Sequence, residues 1–523
     1  MTTADEDARR EAARLRYELA RLRDRRTVRA ALAVTDLRRA GPRAALAALR
    51  GRAPRLDVPG PAHVPLHPVF PHLRVVCTGD GELLASTAVH ERITPTTAIT
   101  VIDRDRPDVV LIDGVDGWEP QELAALCATA RTRGVPVVTL GRAAAAAAPD
   151  AQLRVAGDTE VAGADLTLGA VVDVRAWSPA GLDDAAPPHR RDDAATMDPV
   201  AARRQPVVAV PEVAAVGRRR CLELLAAGAV IVAGPDDGLA AALDGSGAQG
   251  LVVATHPQEV QGRVAHLLAD DDLRRRVSVR LRRHVHRHHS TRTALVAITS
   301  ALGWDDPPDE RISVLLATRR PDRLVEVTED LAGQRHVDLD LVVLPHGDAP
   351  LPDRLPGVDR VVRVAAERPL GAVLNVGLDA ARGGYCAKVD DDDRYGRDHL
   401  GDQLLALHHS GAELVGRRVH GVYDEHAEVT LRPDPGGEER FEDHLPGGTL
   451  LLATPTLRQV RWRNVPNNVD GELVRAIHLD GGSVYSAHRY GYVRVRHGDH
   501  TYDPRVAWQG SQVPGLDTGL LEA

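Results

Sequence analysis

The spacing of apolar positions along the chain changes several times. Between residues 5 and 40, Leu15, Leu19, Leu22, Val28 and Leu32 recur at helical spacing among alternating Glu and Arg. That is the mark of a solvated helix laced with ion pairs. Such a helix suits a short coiled coil, a docking helix or a helix packed on its own chain equally well. Gly41-Pro42 ends it, and Pro59 to Pro71 is a Pro-rich linker. Short apolar runs then alternate with helical stretches. Leu73–Cys77, Ala98–Ile102, Val109–Ile112 and Val135–Leu140 predict buried strands, and Glu122–Arg133 predicts the helix between the last two. Strands separated by helices predict a parallel, doubly wound sheet. Residues 178–206, rich in Asp, Ala, Pro and Arg, predict a loop. Pro206–Val210 and Ala229–Val232 predict strands around the helix Arg218–Ala227, and 257–302 predicts a long charged helix broken near His289.

Trp304 to Glu310 is a Pro/Asp-rich junction that predicts a domain boundary. The alternation then restarts. Ile312–Leu316, Leu339–Leu344, Val358–Val364 and Tyr385–Val389 predict strands; Pro321–Gln334, Leu370–Ala381 and Asp398–Ser410 predict helices. The pattern is less regular from there to Val513. The expected organisation is a helical arm over 1–56, an α/β domain over 57–304, a second α/β domain over 309–513 and a tail over 514–523. The fold class is α/β with two Rossmann-like units.

Composition narrows the class. Two Phe in 523 residues leave a core of Leu, Val and Ala. A net charge of −9 argues against a protein that coats nucleic acid. Cys77, Cys127, Cys221 and Cys386 lie far apart, so they form neither a zinc ribbon nor a disulfide framework, and read as buried thiols. The N-terminus lacks an apolar core of the signal-peptide kind, and no window reaches about 18 uninterrupted apolar residues, so no integral membrane segment is expected. The expected location is the cytoplasm, including the inner face of the membrane. Of 65 basic residues one is a lysine, Lys388.

Chemistry concentrates in GGYCAKVDDDDRYG, residues 383–396, where an apolar strand runs into Asp390, Asp391, Asp392 and Asp393. Ligands bind at strand ends in open α/β sheets. Adjacent carboxylates repel unless a cation lies among them, and a hard divalent ion with oxygen ligands answers that need while also binding phosphate. A solvated acidic loop is the bland alternative. An EF-hand register fails, because Tyr395 would occupy a ligand position and Asp398 an apolar one. His284 and His288, four apart, lack a partner of matching spacing and read as a helix tail.

These residues resemble a family 2 glycosyltransferase domain of the GT-A fold. ISVLLATRRPDRLVEVTEDLAGQ (312–334) is similar to its opening strand, nucleotide loop and helix. PLGAVLNVGLDAARGGYCAKVDDDDRYG (369–396) is similar to the segment leading into its DxD motif. NVDGELVRAIHLDGG (468–482) is similar to its acidic acceptor-site motif, and RHGDHTY (496–502) to a His-containing C-terminal segment. The resemblance implies transfer of a sugar from a nucleotide-diphosphate donor, UDP-linked, to an acceptor hydroxyl, with Mn²⁺ or Mg²⁺ and inversion. It implies metal contacts from Asp392, Asp393, His497 and His500. It implies donor contacts from Thr318, Arg319, Asp348, Asn375, Lys388, Asp390 and Asp391. Asp470, or Glu472 beside it, is the implied general base. The family's usual Glu-Asp pair is Val469-Asp470 here, and its "DDGS" text around Asp348 is absent.

The region 73–303 resembles the C-terminal part of GT-B glycosyltransferases, especially spore-coat glycosyltransferase-like proteins. The residues that carry this are RRRCLELLAAGAVIVAGP (218–235), with Arg220 and Glu223, and LLADDDLRRRV to ITSALG (267–303). No Gly-rich N-terminal loop is evident, so a degenerate or accessory domain is the expectation. The implied partners are a nucleotide-sugar donor and a glycan or lipid-linked acceptor of the cell-surface polysaccharide kind, with no nucleic acid. The N-terminal helix is a candidate for self-association. A scaffold of inactive transferase-like domains and a nucleotidyltransferase are the alternatives. The second would need a Gly-rich loop after the first strand, where ATRRPDR has none.

Overall fold

The computed structural model describes residues 70–78, 88–93, 98, 101–102, 107–113, 115–140, 142–148, 151–156, 164–168, 170–172, 207–304, 309–434, 437–465, 468–497 and 510–523. The arm over 1–56, the loop over 178–206 and His500 lie outside these residues. The described chain divides between Pro308 and Asp309 into two compact α/β units.

In the upstream unit, six strands form one sheet: β1 (Phe70–Cys77), β2 (Ala88–Arg92), β3 (Val109–Ile112), β4 (Val137–Leu140), β5 (Leu153–Ala156) and β6 (Leu166–Thr167). Their order is β2-β1-β3-β4-β5-β6, and every pairing is parallel. Helix α1 (Pro120–Thr132) links β3 to β4. Its start is held where Glu122 accepts from the Glu119 N–H at 2.9 Å. Along β3, Val110 and Ile112 join one apolar cluster and Val109 and Leu111 another. Both faces of the sheet are therefore covered, which is why the strand reads as an unbroken apolar run.

One expected strand is corrected. Ala98, Val101 and Ile102 are helical, and all three are buried. Their spacing of three and one places them on one helix face, and a five-residue apolar run does not separate that from a strand.

Farther on, β7 (Val207–Val210) and β8 (Val230–Ala233) pair in parallel around helix α2 (Arg218–Ala226). Helices α3 (Glu259–Ala269), α4 (Asp271–His288) and α5 (Thr291–Ala301) follow. The expected long helix breaks at Asp270 as well as near His289. The Asp270 carboxylate accepts from the Leu273 N–H at 3.0 Å, so it caps a new helix rather than continuing the old one.

Of the histidines at the end of α4, His286 is buried, His284 is half-buried and His288 is exposed. The His284 and His288 ring centroids lie 4.6 Å apart, and Nε2 of both His284 and His289 approaches the Ala242 carbonyl at 2.9 Å. Burial pushes the His284 and His288 imidazoles below their ordinary value, and the neighbouring imidazoles and Arg287 add to it. The Ala242 carbonyl and Asp244 oppose the shift at His284 without winning. The unfolded chain therefore takes up protons more readily than the folded one. Stability from these groups is intact above about pH 6.5 and is lost as pH falls through and below that value. Thermal melts of the full chain are expected to show the upstream transition moving down between pH 7.5 and 5, and replacing His284 and His288 by Gln should flatten that slope. An unchanged slope would argue against the assignment.

The C-terminal unit contains the remaining strands. They are β9 (Ile312–Thr318), β10 (Leu339–Pro345), β11 (Val358–Val361), β12 (Tyr385–Val389), β13 (Arg394–Tyr395), β14 (Leu414–Gly416) and β15 (Gly421–Asp424). After these come β16 (Val429–Pro433), β17 (Arg440–Phe441), β18 (Thr449–Ala453), β19 (Val484–Ser486), β20 (Tyr492–Arg496) and β21 (Gly510–Pro514). The main sheet has the order β11-β10-β9-β12-β18-β14-β19-β17, and a second sheet has the order β13-β20-β15-β16-β21. Strands β9 to β12 run parallel, whereas β18 pairs antiparallel with β12. Helices α6 (Leu324–Ala332), α7 (Leu370–Ala380), α8 (His399–Ser410), α9 (Thr454–Val460) and α10 (Val469–Leu479) belong to this unit. The mixed sheet matters for the site: the C-terminal end of β12 meets the C-terminal end of β9 on one side and the start of β18 on the other.

Candidate active site

Strand β12 ends at Val389 and the chain turns through the four aspartates into β13. Each carboxylate has its own set of partners, with Arg320 shared by the middle two, and this is how four adjacent acids are accommodated. Asp390 Oδ1 accepts from Lys388 Nζ at 2.8 Å. Asp391 accepts from Thr318 Oγ1 through one oxygen and from Arg320 Nη2, at 2.6 Å, through the other. Asp392 Oδ2 lies 2.8 Å from Arg320 Nη2 and 2.5 Å from His497 Nε2. Asp393 accepts from the Tyr492 hydroxyl at 2.6 Å and the Val495 N–H at 2.9 Å.

The environments differ accordingly. Burial pushes the Asp393 carboxyl up to about 8, with the charges of Asp390 and Asp392 adding to the shift. Burial also raises Asp391. It would raise Asp392 too, but the bonds from His497 and Arg320 outweigh it and hold that carboxyl below its ordinary value.

Distant segments supply these partners. Thr318 ends β9, Arg320 follows it, and His497 comes directly after β20. Tyr395 ties the run to β18: its hydroxyl lies 2.8 Å from the Asp390 N–H and donates to the Gly448 carbonyl at 2.9 Å. Two glycines make the room. A Cβ at Gly448 would lie 2.9 Å from Asp390 Oδ2, Asp393 Oδ2 and the Tyr492 hydroxyl. A Cβ at Gly447 would lie 1.8 Å from Asp470 Oδ2.

Asp470 enters from the first turn of α10, where the helix dipole favours a carboxylate. Its Oδ2 accepts from Lys388 Nζ at 3.0 Å. Its Oδ1 is buried and has no hydrogen-bond partner. An unmade bond at a buried acceptor costs about 1–3 kcal/mol. A lone pair kept free at that cost is what a base awaiting a substrate proton requires.

Several expected residues sit elsewhere. Glu472 faces Arg463 at 3.2 Å and Arg475 at 3.5 Å, so it does not join Asp470. Asn375 commits both ends of its amide to the backbone of Trp462 and latches α7 to that segment. Arg319 pairs with His346 at 2.9 Å, and Asp348 is exposed in the loop after β10. Asp391 has both oxygens occupied and is 6% exposed, so it braces the loop rather than facing a donor. Asp393 is likewise consumed by Tyr492 and Val495, which removes it from the expected metal ligands.

Among the described residues no group of three or more His, Cys, Asp or Glu is placed to hold a metal ion. What converges is the pair Asp392 and His497, bridged here by Arg320 at 2.8 Å and 2.7 Å, so this guanidinium must move aside for a metal to bind. Two protein donors suit an ion that keeps water and phosphate oxygens in its other positions, as magnesium does. Arg320, Tyr492, Gly447 and Gly448 escaped sequence reading. The doublet Gly447-Gly448, directly before the apolar run of β18, was the one local signal that a side chain must approach there.

Comparison with known proteins adds the following. A family model described as glycosyl transferase-like matches residues 142–300, within the upstream unit. Among curated proteins none matches. Among solved structures, residues 1–349 of Staphylococcus aureus TarS in complex with UDP-GlcNAc align at 15% identity and a TM-score of 0.30, over 36% of this chain and 60% of that one. The longer S. aureus TarS structure aligns at 16% identity and a TM-score of 0.29, over 36% and 37%. This chain thus spans less than two thirds of either structure's length. The chain carries a glycosyl transferase-like region at 142–300, upstream of an α/β unit whose acidic strand end is met by an Asp with one buried, unpartnered oxygen.

Proposed function

We propose that this protein is a nucleotide-sugar-dependent glycosyltransferase whose chemistry is performed by the C-terminal unit. The observation that carries the reading is Asp470: a half-buried carboxylate with one oxygen anchored and the other, itself buried, unpartnered, beside an acidic run at the end of a sheet strand. The acceptor hydroxyl gives its proton to Asp470 as its oxygen forms a bond to the anomeric carbon. The bond from that carbon to the diphosphate breaks with its electron pair leaving on the diphosphate, and attack from the opposite face inverts the centre. Asp392 and His497 are the residues that would hold Mn²⁺ or Mg²⁺, which when bound neutralises charge developing on the leaving diphosphate. Asp390 and Arg320 border the donor side of the same loop, with Thr318 fixing its base through Asp391. The glycosyl transferase-like region at 142–300 supports the same class of substrate, and we assign it the positioning of a glycan or lipid-linked acceptor. No helix among the described residues is long and apolar enough to cross a membrane.

The test is release of nucleoside diphosphate from UDP-glucose, UDP-galactose, UDP-N-acetylglucosamine and GDP-mannose by the full-length protein with Mn²⁺. Turnover of at least one donor is expected. Asp392→Asn and His497→Ala should each lower it at least about 100-fold, the scale of losing several kcal/mol of charge stabilisation. A protein that neither binds nor turns over any of these donors under any metal condition would overturn the reading.

A further inference from the structure

The one lysine of this chain is spent in its interior. Lys388 is the penultimate residue of β12 and is 4% exposed. Its ammonium donates to Asp390 Oδ1 at 2.8 Å and to Asp470 Oδ2 at 3.0 Å. The first partner is two residues away, just past the end of the strand. The second is on α10, 82 residues later. Burial works against the charged ammonium, but the two carboxylates outweigh it and hold the proton more tightly than a free lysine would.

Two details separate this from an ordinary ion pair. The first is that Asp470 is bonded asymmetrically. Oδ2 is anchored on Lys388 while Oδ1, which is buried, is left without a partner. A pair formed only for stability would place donors on both oxygens. The second is the space around the ammonium. A Cβ at Gly447 would lie 2.8 Å from Lys388 Nζ and 1.8 Å from Asp470 Oδ2, so the backbone is stripped back to admit this contact. A compact ammonium fits under that glycine, whereas the planar fork of a guanidinium is wider and needs partners spread in its plane. That gives a physical reason for lysine here in a chain that uses arginine at every other basic position.

We propose that Lys388 is the positioning residue of the transfer. It clamps Asp470 by one oxygen so that the other faces the acceptor hydroxyl, and it ties this base to Asp390 on the donor side. Lys388 contacts neither substrate; it acts through Asp470. The proposal rests on the transferase reading above.

The chain's single lysine makes a direct test available. Full-length protein labelled with ¹⁵Nζ-lysine should give one side-chain ammonium signal, slow to exchange at neutral pH. That signal should move on Asp470→Asn and on Asp390→Asn. A fast-exchanging signal indifferent to both changes would overturn the clamp, independently of any assay of transfer and of whether a Lys388 variant folds. The kinetic arm uses release of UDP from UDP-sugars. Lys388→Met, folded by circular dichroism, should lose about 100-fold or more in kcat while the donor KM stays within about threefold. Lys388→Arg should fail to restore it. Ethylammonium added to Lys388→Ala should recover about tenfold in rate where n-propanol recovers none. Wild-type kcat in Lys388→Met alongside an inactive Asp470→Asn would overturn the positioning role and leave the transferase reading standing. A fully active Asp470→Asn would overturn the base assignment and, with it, the clamp.

Discussion

Replacing Asp470 by Asn is expected to abolish sugar transfer, lowering kcat by about 1,000-fold or more, because a positioned base contributes on the order of 10²–10⁴-fold. The amide keeps the size of the side chain and still offers Lys388 an oxygen, so the backbone around Gly447 need not move. What it removes is the basic lone pair on the unpartnered oxygen. Donor KM should change little, since the role proposed for Asp470 is on the acceptor hydroxyl. The cost to folding should be small, about 0.3–1 kcal/mol for an acid lost from the first turn of a helix. Glu472→Gln is the matched control. Glu472 is held by Arg463 and Arg475 and should leave kcat within about twofold. More than a tenth of wild-type turnover remaining in Asp470→Asn would dismiss the base assignment.

The second large effect is on stability. Arg417, directly after β14, is 0% exposed. Its Nε donates to His399 Nδ1 at 3.2 Å, Nη1 to the His488 carbonyl and to His488 Nδ1 at 3.1 Å, and Nη2 to the His399 carbonyl at 3.3 Å. A guanidinium only donates, so His488 Nδ1 accepts and its proton sits on Nε2, which faces Asp402 Oδ2 at 3.0 Å. The buried Arg417 charge thus reaches the buried Asp402 carboxylate through a neutral imidazole. Burial, with the Arg417 charge, likewise drives His399 well below its ordinary value. Arg417→Ala removes the cation that balances Asp402 through His488, frees two carbonyls and opens a cavity. The expected loss is about 3–5 kcal/mol, which for a unit of this size lowers Tm on the order of 10 °C. Calorimetry of the full chain measures it, and a loss below about 1 kcal/mol would show that the network is not needed for the fold. Lys should not substitute, since one ammonium cannot serve partners set at a guanidinium's angles.

Arg417 also shows where reading the chain stops short. In LVGRRVHG it is one arginine of two beside a short apolar run, and nothing local distinguishes it from its neighbour Arg418, which pairs with Glu442 at the surface. The strand leading into Asp390 was legible because a short, mostly apolar run bounded by Gly383-Gly384 and the acids has the length and composition of a buried strand in an α/β chain. Asp470 was legible from its resemblance to an acceptor-site motif. Ala98 to Ile102 was misread because a short buried run satisfies both the strand and the helix period.

The ligand assignments divided for a related reason. Four consecutive aspartates carry no information about which of them meets Tyr492, Arg320, His497 or Lys388. Those partners come from β20, from the loop after β9, from the residue after β20 and from β12 itself. Sheet order decides which of these segments share an end.

The sequence by itself determined the α/β class, most elements up to Ser410 and the place of the acidic run, because period and turn chemistry are local properties of the chain. The tertiary structure alone decided the division of labour among the carboxylates, because charge and burial depend on neighbours brought from far along the chain. It withdrew Asp391 and Asp393 into bonding, turned Glu472 to Arg463, and joined the only lysine to Asp470.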